Sequence, residues 1–156
     1  MERQLAPVGL EFVDSAPVRL VFAHDVAASP EAVFHALADD VPGWADWFGQ
    51  VRSAKVLGDG GQREVRLGGG IRMRETILAA KPSEVYAYRV DTANAPAVRA
   101  LAEEWRLTPV AGGTRVRWTM AIDGPLPLRL ALKGVRPLVG RAFRDAVRAL
   151  ERRLGA

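Results

Sequence analysis

Two carboxylates are the first residues with chemistry to offer. Glu75 and Glu103 lie in the alternating stretches Met73-Glu75-Ile77 and Leu101-Glu103-Trp105, so on an extended chain each shares a face with bulky apolar neighbours. That periodicity turns both side chains inward. A buried carboxylate is costly unless paired, and burial raises its pKa toward a range suited to acid/base work or to holding the polar group of a ligand. The plainer alternatives are an ion pair with an arginine such as Arg89, or a bulge that turns one of the two carboxylates out. His24, in step with Phe22 and Val26, is a second acid/base candidate, set against the reading of a satisfied core or rim histidine. Glu75 and His24 are thus the catalytic candidates, and neither belongs to a complete catalytic constellation.

Aromatic residues supply the rest of a candidate binding surface. Trp44, Trp47 and Phe48 crowd a segment broken by Pro42 and Gly43, where so much ring area is hard to bury locally. They either roof a cavity entrance or staple short helices to a sheet edge. Met73, Tyr86, Tyr88, Trp105 and Trp118 fall on strand faces directed the same way as the carboxylates. Plain core packing is the alternative, and the preferred one for Trp118 and Met120. His24 and His35 lack the spacing of a metal site, the chain has no cysteine, and Gly68–Gly70 lacks the Gly-Lys-Ser/Thr of a phosphate loop. No metal and no cofactor is expected.

The elements that must position these residues can be read from punctuation and period. Alternation over 18–26 marks a first strand. Ser29-Pro30-Glu31 opens a short helix over 30–39, with Ser29 as cap and Pro30 where its missing N–H is harmless. Residues 44–48 form at most one or two further turns. Six more extended runs follow, over 51–57, 63–67, 71–79, 85–90, 98–109 and 114–122, separated by Gly, Pro and Asn turns. After Gly124-Pro125 comes a closing helix. Leu128, Leu132, Val135, Val139, Ala142, Phe143, Ala146, Val147, Leu150 and Leu154 form its apolar stripe, and Pro137 kinks or interrupts it. This order is α+β, with seven antiparallel strands curved around a long C-terminal helix and two short helices between strands one and two. A sheet of that width must curl around one helix, which leaves space at the open end.

At 156 residues, 49% hydrophobic and 26% charged, the chain suits one folded domain with one core. Residues 1–17 read as an N-terminal extension and 18–156 as the domain. No stretch resembles a signal peptide or a membrane span, and a cytoplasmic location is the default. The net charge of +4 is concentrated in 126–154, where Arg129, Lys133, Arg136, Arg141, Arg144, Arg148, Arg152 and Arg153 face only Asp145 and Glu151. Such a helix can meet nucleic acid or anionic lipid. A solvated outer face is the preferred reading, and nucleic acid is not favoured as a partner.

Several segments together carry a resemblance. Ala28-Ser29-Pro30-Glu31-Ala32-Val33-Phe34 enters the first helix, Trp44 to Phe48 form the second, and Glu75 lies in the fourth strand. Leu107-Thr108-Pro109 precedes the last hairpin, Gly113-Thr114-Arg115-Val116-Arg117-Trp118 follows it, and the long helix closes the chain. In this order and spacing, over about 18–154, they resemble the START and plant-allergen-like superfamily of helix-grip proteins, also called SRPBCC or polyketide cyclase/dehydrase-like. The resemblance implies a cavity between sheet and helix that takes lipids, sterols, polyketides or other apolar molecules. Many members of that superfamily have no demonstrated catalysis. The expectation is therefore a single START-like domain that binds a small hydrophobic molecule, contacted by Trp44, Trp47, Phe48, Met73, Glu75, Tyr86, Tyr88, Glu103, Trp105 and Trp118. The alternatives are a polyketide cyclase or dehydratase-like enzyme with an acid/base residue in the cavity, and a protein- or ribosome-associated module using the basic helix.

Overall fold

A computed structural model describes all 156 residues, Met1–Ala156. Seven long strands form one antiparallel sheet: β2 (Val18–Val26), β3 (Val51–Leu57), β4 (Gln62–Leu67), β5 (Arg72–Lys81), β6 (Val85–Ala93), β7 (Ala100–Val110) and β8 (Gly113–Asp123). Their order across the sheet is β2-β8-β7-β6-β5-β4-β3, so every neighbour from β3 to β8 is joined by a hairpin and only the first strand is brought in from afar. The expected α+β class, with a curved sheet and a C-terminal helix, is what the chain adopts. The strand expected over 98–109 starts later, at Ala100, because the turn opening at Asn94 runs on through Ala97, whose φ is 70°.

Between β2 and β3 the chain makes α2 (Pro30–Phe34), which continues as a π-helical turn over His35–Asp39. The Ser29 hydroxyl accepts from Ala32 N at 3.2 Å, the cap that the Ser-Pro-Glu sequence prescribes. A 3-10 turn, Val41–Gly43, leads into the single turn of α3, Trp44–Trp47. Trp44 is pinned by its indole N–H, which donates to Leu37 O at 2.9 Å.

The closing helix is two helices. α4 (Leu126–Gly134) ends at Val135, whose φ and ψ are −90° and 3°, and α5 (Arg136–Arg153) begins directly after it. Pro137 sits in the first turn of α5, where the absent N–H breaks no hydrogen bond, so of the two expectations for it the interruption holds and the kink does not. The break corrects the continuous stripe read from the sequence: Val135 is exposed, and α4 has no buried residue. The stripe holds along α5, where Phe143, Ala146, Val147 and Leu150 are buried against the sheet and α3. Each of the larger three contributes about 1.5–3 kcal/mol by burial. Gly140 is where α5 comes nearest the first long strand: a Cβ there would stand 2.9 Å from the Phe22 ring.

The residues before β2 are packed onto the sheet. β1 (Arg3–Gln4) pairs with the end of β6, making an eighth, two-residue strand that fills the space left where β7 has not yet begun. Leu5 enters the main core. α1 (Phe12–Ser15) lies over β7 and β8 with Val13 buried, on the face opposite α5, and Arg19 Nε donates to Val13 O at 2.7 Å.

Candidate functional site

Between the concave face of the sheet and α5 lies a cavity of about 350 Å³. Its walls are mostly apolar: Phe48 from the end of α3, Val65 and Met73 from β4 and β5, Trp118 and Met120 from β8, and Val139 and Ala142 from α5. Leu138 completes the wall while remaining 67% exposed, so the space opens to the surface at the start of α5. This size and lining are those of small-molecule pockets.

Apart from Gln50, the polar side chains of the wall form one cluster, and strand register builds it. Arg63 on β4 stands directly opposite Glu75 on β5, and Tyr88 on β6 directly opposite Glu103 on β7. Arg63 Nε donates to Glu75 Oε1 at 2.5 Å, with both side chains almost wholly buried. The guanidinium lies 4.0 Å from the Tyr88 ring centroid, 4.7 Å from that of Trp44 and 5.5 Å from that of Tyr86, so three aromatic faces hold the cation. Glu103 Oε1 accepts from the Tyr88 hydroxyl at 2.6 Å and from Trp118 Nε1 at 2.9 Å, while its other oxygen has no hydrogen-bond partner in the chain. Trp105 Nε1 in turn donates to the Tyr88 hydroxyl at 3.3 Å. Arg63 Nη1 is buried without a partner.

One cation among two buried carboxylates leaves a charge uncompensated, and the titration behaviour follows from that. Burial pushes Glu75 up to about 7, against the opposing pull of Arg63 and with the help of the Glu103 charge. Burial also raises Glu103, against the hydrogen bonds from Tyr88 and Trp118. Tyr88 is held well above its ordinary value by burial and by the neighbouring Glu103, and so acts as a neutral donor. Burial disfavours the Arg63 charge, but Glu75 beside it prevails and keeps the guanidinium protonated. The arrangement thus offers fixed donors, a permanent cation and one carboxyl able to hold or release a proton near neutrality.

The expected site residues separate in space. Trp44, Phe48, Met73, Glu75, Tyr88, Glu103 and Trp118 all face the cavity. Trp47, Tyr86 and Trp105 do not. Trp47 packs against Trp44 with ring centroids 4.6 Å apart and borders a separate recess shared with Ala142, Ala146 and Ala149 of α5. Trp105 is completely buried, stacked on Trp118 at 5.4 Å, and acts as the backing of the cavity wall. Tyr86 reaches the site only through Arg63 and through Tyr88, whose ring centroid is 5.7 Å away. His24 pairs across the sheet with Val116 and is not part of the cavity wall. Nor is Arg89 the partner of Glu75. Arg89 lies between Tyr88 and Val90, which both point into the core, so alternation along β6 turns it to the other face, where it pairs with Asp91 at 2.9 Å, and Val90 stands opposite Glu75.

Arg63 is the residue that the reading of the sequence passed over. Its signal was present: Arg63, Val65 and Leu67 alternate on the inward face of β4, so period alone places the arginine with the carboxylates. Leu138 and Ala142 gave less to read, since which side of α5 meets the open end of the sheet depends on the break at Val135.

A curved sheet gripping a helix around a partly apolar cavity defines the helix-grip, START-like class, and comparison with known proteins places the chain within it. The chain belongs to the polyketide cyclase/dehydrase and lipid transport family, whose sequence profile matches residues 17–155. Uncharacterized proteins of Mycobacterium tuberculosis and Mycobacterium bovis are each 37% identical to it over 149 residues, which cover 93% of this chain and 89% of theirs. Among solved structures, a START superfamily protein from Mycobacterium smegmatis has a TM-score of 0.72 at 16% identity, covering 88% of this chain and 97% of that one. The Zhui aromatase/cyclase from a Streptomyces species has a TM-score of 0.69 at 24% identity, covering 88% and 93%. At these identities the likeness to the two structures is one of fold.

Proposed function

We propose that the protein binds a small, largely apolar molecule carrying one polar group, with the apolar body against Phe48, Met73 and Val139 and the polar end against Arg63, Glu75 and Glu103. The observation that carries this reading is the unfilled cavity with an incompletely satisfied polar cluster in its wall. Apolar lining supplies affinity through burial of ligand surface. The Glu103 oxygen left without a partner supplies orientation, since it can accept from a ligand hydroxyl, and the Arg63 charge beside it favours the negative end of a ligand dipole. The family's description, which includes lipid transport, supports the same reading. The test is binding of the neutral fluorophore N-phenyl-1-naphthylamine, together with native mass spectrometry of protein purified from its own host. Ala142→Trp, which fills the cavity from α5, is expected to abolish fluorophore binding and any retained mass while leaving the circular dichroism unchanged. Equal binding by the folded variant refutes the proposal.

A second reading, a cyclase or dehydratase acting on a polyketide-like substrate, is favoured by one observation: Glu75 titrates near 7, where a carboxyl can serve as acid and base in turn. The two readings separate on Glu75→Gln. An enzyme loses turnover of a poly-β-ketone substrate and keeps its affinity, whereas a binder has no turnover to lose.

A further inference from the structure

The helix beside the cavity mouth is turned inside out. A surface helix ordinarily buries its apolar stripe and shows a polar one, yet Leu126 is 63% exposed and Leu130 59% exposed. Pro127, Ala131 and Gly134 are exposed with them, so the outward side of α4 is apolar, with Lys133 on its edge. Val135 and Leu138 carry the patch across the break into α5. Because Leu138 is also part of the cavity wall, the patch and the mouth are continuous.

Charge around this patch is predominantly positive, with exposed Asp145, one residue past Arg144, as the acid nearest to it on α5. Residues 124–144 include Arg129, Lys133, Arg136, Arg141 and Arg144 and no acidic residue. Arg129 is held by Asp123 and Gly124 O, and Arg136 by Val21 O and the Phe22 ring. Lys133, Arg141 and Arg144 are exposed and make no ion pair.

We propose that this face docks on the surface of an anionic lipid bilayer, with Leu126, Leu130 and Leu138 in the acyl boundary and Lys133, Arg141 and Arg144 against phosphate headgroups. A second copy of the chain fits the leucines but not the charges, since a two-fold contact would set the basic rim of one copy against that of the other. Nucleic acid fits the charges and leaves the leucines in water. An anionic bilayer satisfies both. No helix is long and apolar enough to cross a membrane, and the nine residues of α4 would lie along the surface. The cavity would then open onto lipid, letting an apolar molecule enter without crossing water. That passage, unlike docking itself, rests on the cavity-binding reading.

The test is flotation with vesicles of phosphatidylglycerol and phosphatidylcholine, against phosphatidylcholine alone. The protein is expected to float with the anionic vesicles only, and less at about 1 M salt, where the screening length shrinks to about 3 Å. Leu126→Ser and Leu130→Ser should each weaken binding about tenfold, and Lys133→Gln, Arg141→Gln and Arg144→Gln about fivefold each. These side chains are exposed, so Tm and N-phenyl-1-naphthylamine binding should stay at the wild-type level, which separates loss of docking from failure of the cavity. The proposal is overturned if the wild-type protein does not float with anionic vesicles at low salt, or if the serine variants float as it does. It is also overturned if it fails to float and instead forms a dimer that Leu130→Ser dissociates, or binds duplex DNA with an affinity the serine variants keep.

Discussion

The Arg63–Glu75–Glu103 cluster makes stability depend on pH in a calculable way. Glu75 titrates at about 7 in the folded protein, against 4.5 for an ordinary glutamate. The folded state therefore keeps a proton that the unfolded chain has already released. The stability this group confers is complete below about pH 4.5 and is lost as pH rises through about 7. From about pH 5 to about pH 8 the loss is roughly 2–3 kcal/mol. Glu75→Gln keeps the shape and removes the titration, leaving Arg63 to balance Glu103 alone. The variant should gain that same 2–3 kcal/mol on wild type over the interval, a relative shift in urea midpoint on the order of 1 M. Arg63→Met is the opposite perturbation, because it leaves two buried carboxylates with no cation. It should cost about 3–5 kcal/mol near pH 8 and less near pH 5, where Glu75 is protonated and only the Glu103 charge can be left without a cation. Urea unfolding followed by tryptophan fluorescence across this pH range measures both. Parallel stability curves for wild type and Glu75→Gln would refute the charge imbalance on which the reasoning stands.

Two further outcomes test how the fold holds the site. Gly113→Ala would place a Cβ 1.9 Å from Val26 O, backbone against backbone where β8 meets β2; the strands must part, and a loss of roughly 3 kcal/mol is expected in urea unfolding. Deleting residues 1–15 removes β1 and all of α1 with buried Leu5 and Val13; about 3 kcal/mol or more should be lost, lowering Tm by roughly 6–12 °C in a calorimetric scan.

The long strands were legible because their signals are local. Thr114, Val116, Trp118, Met120 and Ile122 alternate strictly, and the observed β8 buries that face except for the half-exposed Met120. Ser29 and Pro30 marked a helix start by chemistry that needs no tertiary context. The inward direction of Glu75 and Glu103 was legible for the same reason. Their partners were not, because a partner is set by register. Arg89 lies on the opposite face because it alternates with the inward Tyr88 and Val90, and although period turned Arg63 inward, only the pairing of β4 with β5 sets it across from Glu75. β1 was invisible for another reason: two residues show no period, and they become a strand only because the end of β6 has a free edge. The exposure of α4 escaped too, since periodicity reports that a helix has an apolar side but not whether anything covers it.

The placing of Arg63 directly across from Glu75, and of Tyr88 across from Glu103, bears on how the chain avoids misfolding. Consecutive hairpins of similar strands invite slippage by one residue, which would move a whole strand's side chains to the wrong face. Here such a slip would strand a lone guanidinium or a lone carboxylate in oil, a far larger penalty than misplacing one aliphatic side chain. The same ionic rung that lies in the cavity wall would thereby act as an alignment key for the middle of the sheet.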